Sequence, residues 1–163
     1  MKLSPTEIEQ FFDDHLPYKI TQLKTHHCYK KYLNEKLSGT PLARKYEICA
    51  IEISFVAGRL FMDFLGLGLD KKDKKLVEKR PYKTDDITVI DLGGKWIDVN
   101  SLTEEQKNTL AIFYHRGNKG SAHLTWEKRE KDGWETLDDG VEIITSLLKT
   151  HLYDIVGKPM KEK

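Results

Sequence analysis

Hydrophobic residues recur every three or four positions in four long stretches of this chain, which is the spacing of one face of an α-helix. The first stretch follows a capping serine, Ser4, and the second follows Thr40 with a proline at the first helical position. Thr103 opens the third stretch, and the fourth carries the clearest amphipathic stripe. We therefore predict a mainly α protein, an up-and-down four-helix bundle. The stripe of the fourth helix comprises Val141, Ile144, Leu148, His151 and Ile155.

The first two predicted helices differ in their interiors. Pro17 lacks an amide donor and disfavours helical angles at Leu16, so the first helix is expected to be kinked near Pro17. The second helix, residues 42–65, is apolar on nearly every face, as expected for a helix surrounded by others. The two helices have similar predicted lengths, which favours an antiparallel pair.

The segment between the second and third helices has a different composition. Residues 69–84 are rich in lysine, and we interpret them as a basic, solvated connector. Residues 87–100 place β-branched and aromatic residues on both sides of Gly93 and Gly94, the pattern of two strands joined by a glycine turn. A small β-hairpin insertion is therefore expected at 87–100, lying on the helices.

Length, charge and cysteine content restrict the class of protein. A chain of 163 residues is near the common size of one domain, so residues 1–163 are expected to form a single helical-bundle domain. The formal charge of +1 predicts no general attraction to nucleic acid or membrane. Cys28 and Cys49 fall within helical patterns and are expected to be reduced core thiols. The apolar runs are short and no leader pattern opens the chain, so we expect a cytoplasmic protein with no membrane partner.

The greatest concentration of reactive groups lies at residues 116–123, where Gly117 and Gly120 are expected to end the third helix. Arg116 and His123 bracket this stretch, which contains no acid. They are candidate catalytic residues, because a guanidinium can stabilise developing negative charge and an imidazole can transfer a proton near neutral pH. The candidate binding residues between them are Asn118, Lys119 and Ser121.

A second polar group interrupts the apolar second helix. Glu52, Arg59 and Asp63 share one helical face through steps of seven and four residues, so Arg59 is expected to pair with Asp63, and Glu52 is a second candidate partner one or two turns away. We interpret the group as a half-buried charge pair that satisfies itself. The alternative is that these three residues border the site that contains Arg116 and His123.

The histidines do not indicate a metal centre. His26, His27 and Cys28 are adjacent, and adjacent helical side chains point about 100° apart, so they are not expected to face one ion. His151 lies on the apolar face of the last helix, which suggests a hydrogen-bonded imidazole in the core or at its edge. Neither a metal nor a cofactor is expected.

The helix order and the spacing of Arg116 and His123 resemble the HEPN superfamily. Its signature is an arginine, four to six residues and then a histidine, within a bundle of four or five helices. Its members are often dimeric, metal-independent ribonucleases of toxin and antiviral systems, and some members are non-catalytic. The resemblance implies that Arg116 contacts a scissile phosphate of RNA, that His123 is a general acid or base, and that the chain forms a homodimer. Gly117 stands where the family usually has a polar residue.

Two functions are therefore open from the sequence. We favour a non-catalytic helical-bundle interaction protein from a mobile-element or defence context, in which the loop binds an acidic group of a protein partner or a small anion. The alternative is a HEPN-like, metal-independent ribonuclease that uses Arg116 and His123. A homodimer is expected in either case, since charges interrupt the second helix and two copies of the motif meet in the family.

Overall fold

The computed structural model describes residues 3–70, 72–79, 86–120 and 135–163, and these are mainly helical. The prediction of a mainly α protein is thus confirmed. The α-helices, in chain order, are α1 (Pro5–Gln10), α2 (Leu16–Leu23), α3 (Thr25–Cys28), α4 (Asn34–Leu37), α5 (Pro41–Phe64), α6 (Glu104–His115), α7 (Glu135–Leu148) and α8 (Asp154–Val156). Among the described residues, π-helical turns continue these helices at Phe11–His15, Tyr29–Leu33, Arg116–Gly120 and Lys149–Tyr153.

Three helix starts predicted from capping residues are confirmed. The Ser4 side chain accepts a hydrogen bond from the backbone of Glu7, whose carboxylate accepts one from the Ser4 backbone in return. Thr40 and Thr103 likewise accept a hydrogen bond from the backbone amide three residues later. Each hydroxyl satisfies one amide that has no partner within the first turn of its helix.

The first predicted helix is a series of short helical pieces. The π turn at Phe11–His15 lies immediately before Leu16 and Pro17, and the helical backbone continues through Pro17 to the end of α2. A proline in a regular α-helix collides with the carbonyl four residues earlier, and the wider π turn leaves the ring more room. The clear departure from helical geometry comes at Lys24, where φ is −92° and ψ is 7°.

The last helix follows its predicted stripe only as far as Leu148, which is fully buried. The π turn at Lys149–Tyr153 then adds a residue to one turn, so the buried face moves forward by one position. Leu152 occupies the core in place of His151, and Ile155 is exposed while Val156 packs against the core. A strict 3.6-residue period could not have predicted this shift.

The strand pair lies elsewhere than the sequence predicted. Among the described residues, β1 (Leu67–Leu69) pairs with β2 (Leu76–Glu78) in antiparallel register, directly after α5. A two-stranded hairpin between the second and third long helices is thus confirmed, but its predicted position at 87–100 is wrong. Residues 87–100 instead contain two 3₁₀ turns, Val89–Leu92 and Val99–Ser101.

Turn chemistry explains why residues 87–100 do not form strands. Thr88 and Asp91 form a capping box around the first 3₁₀ turn, and Gly93 closes it with φ of 87°. The Lys95 backbone amide then donates to the carbonyl of His151 at 2.9 Å. A Cβ at Gly94 would lie 2.5 Å from that same carbonyl oxygen, so this glycine allows the loop to lie on the π turn after α7.

The core is organised around α5, which contacts α2, α3, α6 and α7. Phe113 of α6 is fully buried against two glycines from other helices. A Cβ at Gly58 of α5 would lie 2.2 Å from its ring, and a Cβ at Gly140 of α7 would lie 2.1 Å from it. The expectation that the second long helix is surrounded by others is therefore met on the side that faces Phe113.

Candidate functional site

Arg116 lies where α6 passes into the π turn Arg116–Gly120. The helical backbone continues through Gly117, so the expectation that this glycine ends the helix is wrong. The π turn runs to Gly120, and the residues after Gly120 lie outside the described part of the chain, so a helix end at Gly120 stays a prediction. A Cβ at Gly117 would lie 2.5 Å from the carbonyl oxygen of Phe55 and 2.9 Å from Cβ of Arg59. This glycine lets the π turn pack directly on α5, and that packing offsets the roughly 1 kcal/mol by which glycine disfavours a helix.

The predicted residues of this stretch fall partly within the described structure. Arg116 and Asn118 are half-buried. His123 and Ser121 lie outside the described residues, as does the side chain of Lys119. The convergence of Arg116 and His123 on one cleft therefore stays a prediction.

A polar cluster, the Asp63 cluster, is formed by Asp63, Arg59, Lys79 and Tyr114. Lys79 Nζ donates to Asp63 Oδ1 at 2.9 Å and to the Tyr114 hydroxyl oxygen at 3.0 Å. The Tyr114 hydroxyl donates to the same Asp63 Oδ1 at 2.8 Å. Arg59 Nε lies 3.6 Å from Asp63 Oδ2. The predicted pairing of Arg59 with Asp63 is confirmed, whereas Lys79 and Tyr114 were missed because they come from other elements.

The two cations of this cluster lie over the same aromatic ring. The guanidinium carbon of Arg59 is 5.9 Å from the Tyr114 ring centroid, and Lys79 Nζ is 5.7 Å from it. Burial acts to lower the pKa of Lys79, but its hydrogen bonds to Tyr114 and Asp63 outweigh burial and raise that pKa. Lys79 therefore stays charged at neutral pH.

Glu52 shares the helical face of the Asp63 cluster but lines a different feature. It borders a groove between α5 and α2, together with Lys19 and Gln22 of α2. The predicted stripe of three charges thus divides into the Arg59–Asp63 pair beside the Arg116 turn and Glu52 beside α2.

A second polar group, the Asp138 cluster, joins α3 and the π turn after it to α7. It consists of Asp138, His26, His27 and Lys30. His27 Nε2 lies 2.9 Å from Asp138 Oδ1, His26 Nδ1 lies 3.3 Å from the same oxygen, and Lys30 Nζ donates to Oδ2 at 2.7 Å. His26 and His27 thus reach one carboxylate oxygen, a contact that does not bear on the expectation that His26, His27 and Cys28 do not all face one metal ion. His26 uses Nδ1, the ring nitrogen nearer the backbone, and His27 uses Nε2, the farther one. The two rings can therefore reach the same oxygen although the two side chains leave the helix about 100° apart.

Burial determines the protonation of His26, whose ring is almost fully enclosed. Burial and the charge of Lys30 lower the pKa of His26, and the attraction of Asp138 only partly opposes them. Burial acts to raise the pKa of Asp138, but the hydrogen bond and charge of Lys30 outweigh it and lower that pKa. At neutral pH the cluster therefore holds a neutral His26 against an ionised carboxylate.

An exposed apolar stripe, the α5 stripe, runs along the outer face of the central helix. Its residues are spaced alternately by four and three positions, and all are exposed or half-exposed. At about 1.5 Å per residue the α5 stripe is about 27 Å long. Its members are Leu42, Tyr46, Cys49, Ile53, Val56 and Leu60.

A groove of about 260 Å³ lies beside the α5 stripe, between α5 and the π turn after α3. Tyr32 and Leu33 of that turn line it together with Tyr46 and Ile53 of α5. Cys28 and Cys49 also line the groove, and both thiols are free and exposed. The expectation that they are core thiols is therefore wrong, because the helical faces that carry them point outward.

Within residues 3–70, 72–79, 86–120 and 135–163, no group of three or more His, Cys, Asp or Glu side chains could hold a metal ion. In the same part of the chain, no helix has the length and apolar character needed to cross a membrane. Comparison with models of protein families, with curated proteins and with solved structures finds no match.

Proposed function

We propose that this chain is a non-catalytic, cytoplasmic helical-bundle interaction protein that acts as a homodimer through the α5 stripe. The observation that supports this proposal is a continuous apolar stripe on the outside of the helix that organises the core. Single exposed apolar residues are normal on soluble proteins, but a contiguous apolar surface marks a place of contact. Contacts of α5 with α2, α6 and α7 support an up-and-down four-helix bundle as the supporting scaffold.

The spacing of the α5 stripe matches helix-to-helix association. Steps of four and three residues average 3.5 residues, which is the repeat of the seam between two coiled helices. A helix that faces only solvent has no reason to keep apolar residues in this register. The occupant of the stripe is therefore another helix, and we assign it to α5 of a second copy.

The α5 stripe is also symmetric about residue 51. Leu42 and Leu60 lie nine positions to either side of that point, and Cys49 and Ile53 lie two positions to either side. When two copies cross in antiparallel orientation about a twofold axis at this point, every member meets an apolar residue of the other copy. A self-complementary surface of this kind is what a twofold dimer requires.

The exposed apolar area of the α5 stripe and its neighbours approaches that of one side of a standard dimer interface. Leu42, Tyr46, Ile53 and Leu60 are 52%, 53%, 40% and 44% exposed, and the adjoining Tyr32 and Leu33 are also exposed. With about 200 Å² for an aliphatic side chain and about 250 Å² for a tyrosine, these six residues present about 600 Å². That area is most of the roughly 800 Å² per partner in a standard interface.

The test compares two isoleucines of similar exposure, one on the stripe and one off it. Wild type is expected to sediment as a dimer at about 100 µM, a concentration that detects micromolar affinity. In the dimer, Ile53→Glu would bury one unpaired carboxylate in each copy. Each buried carboxylate costs about 2 kcal/mol or more, so the dissociation constant of the dimer should rise roughly 1000-fold. Ile112 of α6 is 42% exposed and lies off the stripe, so Ile112→Glu should leave the dimer intact. A monomeric wild type, or an Ile53→Glu variant that still dimerises, would overturn the proposal.

Thiol cross-linking tests the orientation of the two copies. An antiparallel crossing about residue 51 places Cys49 of one copy opposite position 53 of the other. Mild oxidation with diamide should therefore cross-link the Ile53→Cys variant much faster than wild type. Rapid cross-linking of wild type through Cys49 alone would instead indicate a parallel pair, in which like residues meet.

A further inference from the structure

We propose that Arg59 and Lys79, held over Tyr114, form a binding site for a phosphate-type oxyanion at the junction of α5, β2 and α6. The site lies in the Asp63 cluster and shares no residue with the α5 stripe. It does not depend on the dimer, and it requires neither a metal nor a catalytic histidine.

The charges of the Asp63 cluster do not balance. Two cations, Arg59 and Lys79, lie against a single carboxylate, with Lys79 at one oxygen and Arg59 at the other. Tyr114 adds a neutral hydroxyl that donates to the same carboxylate. Within the described members of the Asp63 cluster, one positive charge is therefore in excess at a partly buried position, where attraction for an anion is stronger than in open solvent.

The cations of the site retain donors for a ligand. Within the part of the chain that the structure describes, the polar contact of Arg59 is its 3.6 Å ion pair with Asp63 through Nε, so its terminal amino groups are not committed to other side chains. Lys79 uses two of its three donors, on Asp63 and Tyr114. An arginine fork beside an ammonium suits a tetrahedral oxyanion, whose several oxygens can accept from both groups at once.

Two glycines fix the positions of these cations before a ligand arrives. A Cβ at Gly68 of β1 would lie 2.5 Å from Cδ of Lys79, so the stem of Lys79 lies directly on the strand backbone. A Cβ at Gly117 would lie 2.9 Å from Cβ of Arg59, so the π turn that begins at Arg116 packs on the stem of Arg59. Ordering of two long side chains, which normally opposes binding, has already taken place in the folded protein.

The test measures binding of inorganic phosphate by calorimetry, at constant ionic strength in chloride. Lys79→Met removes one ligand donor and should weaken phosphate binding by about tenfold or more. Asp63→Asn removes the competing carboxylate and should tighten phosphate binding several-fold. Lys107→Met is the matched control, because Lys107 also forms a lysine–carboxylate pair, at 2.8 Å, but with Glu104, which is not a member of the Asp63 cluster.

The opposite effects of Lys79→Met and Asp63→Asn separate this proposal from a purely structural role. An ion-pair cluster that only stabilises the fold would lose thermal stability in both variants and bind no phosphate in wild type. Lys79→Arg keeps the charge and should retain binding, which protects the test against misfolding of the methionine variant. Absence of phosphate binding by wild type, or Asp63→Asn that binds no tighter, would overturn the proposal. A parallel titration with methyl phosphate distinguishes two sources of the oxyanion. Methyl phosphate that binds as tightly as inorganic phosphate indicates a phosphomonoester ligand, and methyl phosphate that binds more weakly indicates the free anion.

Discussion

Substitution of Gly140 by alanine tests the close packing of three helices around Phe113. The added Cβ would lie 2.1 Å from Cδ2 of the ring, whereas carbon atoms pack at about 3.5–4.0 Å. The ring cannot move away freely, because Gly58 of α5 contacts its other edge and Phe55 lies 4.7 Å from it between ring centroids. The variant must therefore separate α6 from α7 by more than 1 Å or force the ring out of its preferred rotamer.

Two opposing effects determine the magnitude. Overpacking of a core costs about 1–3 kcal/mol, and this contact is short enough for the upper end of that range. Alanine in a helix interior gains about 1 kcal/mol over glycine. The net expectation is a loss of about 2 kcal/mol in the free energy of unfolding for Gly140→Ala. For a chain of this length, that loss corresponds to about 4–8 °C in Tm.

Urea unfolding followed by circular dichroism provides the measurement, and a double-mutant cycle supplies its control. Phe113→Leu leaves a space beside Gly140, so the double variant should be more stable than the sum of the two single changes predicts, by about 1 kcal/mol or more. A Gly140→Ala variant as stable as wild type would refute the packing argument. Additive effects of the two substitutions would refute it equally.

Two further predictions concern pH and RNA. Burial lowers the pKa of His26 in the folded state, so as the pH falls the unfolded chain protonates this imidazole before the folded protein does. The free energy of unfolding should therefore fall as the pH drops below about 6.5, by at most about 1.4 kcal/mol per pH unit. Urea unfolding midpoints at pH 7 and pH 5.5 check this. A loss of stability between these pH values that is as large in His26→Gln as in wild type would contradict it. Purified protein should leave single-stranded RNA intact in the presence of a chelator, since the proposed function is non-catalytic. Cleavage by wild type that disappears in both Arg116→Ala and His123→Ala would establish the ribonuclease alternative.

Local signals in the sequence predicted much of the helical framework. Ser4, Thr40 and Thr103 each cap a helix because a hydroxyl satisfies an amide three residues later, an interaction confined to one turn. The 3₁₀ turn at Val89–Leu92 was also readable, since Thr88 and Asp91 form the same kind of box. It was missed because β-branched residues beside two glycines gave a stronger strand pattern.

Features that depend on contacts between distant segments could not be predicted in the same way. Lys79 and Tyr114 join Asp63 across 16 and 51 positions of sequence, and no periodic pattern connects them. Gly117 was interpreted as the end of a helix, because only the fold shows that α5 passes against it. The α5 stripe was present in the sequence, but apolar residues on most other faces of the same helix concealed it.

The π turn at Lys149–Tyr153 also gives the last helix tolerance to a change in length. Removal of the exposed Thr150 would restore a regular α-helical repeat and move each later residue back by one position. Leu152 and Val156 would then occupy the places that follow Leu148 in the original stripe, so the same side chains would still face the core. A one-residue deletion here would thus shorten the helix while conserving its buried surface, and related chains could differ in length at this point without a change in their packing.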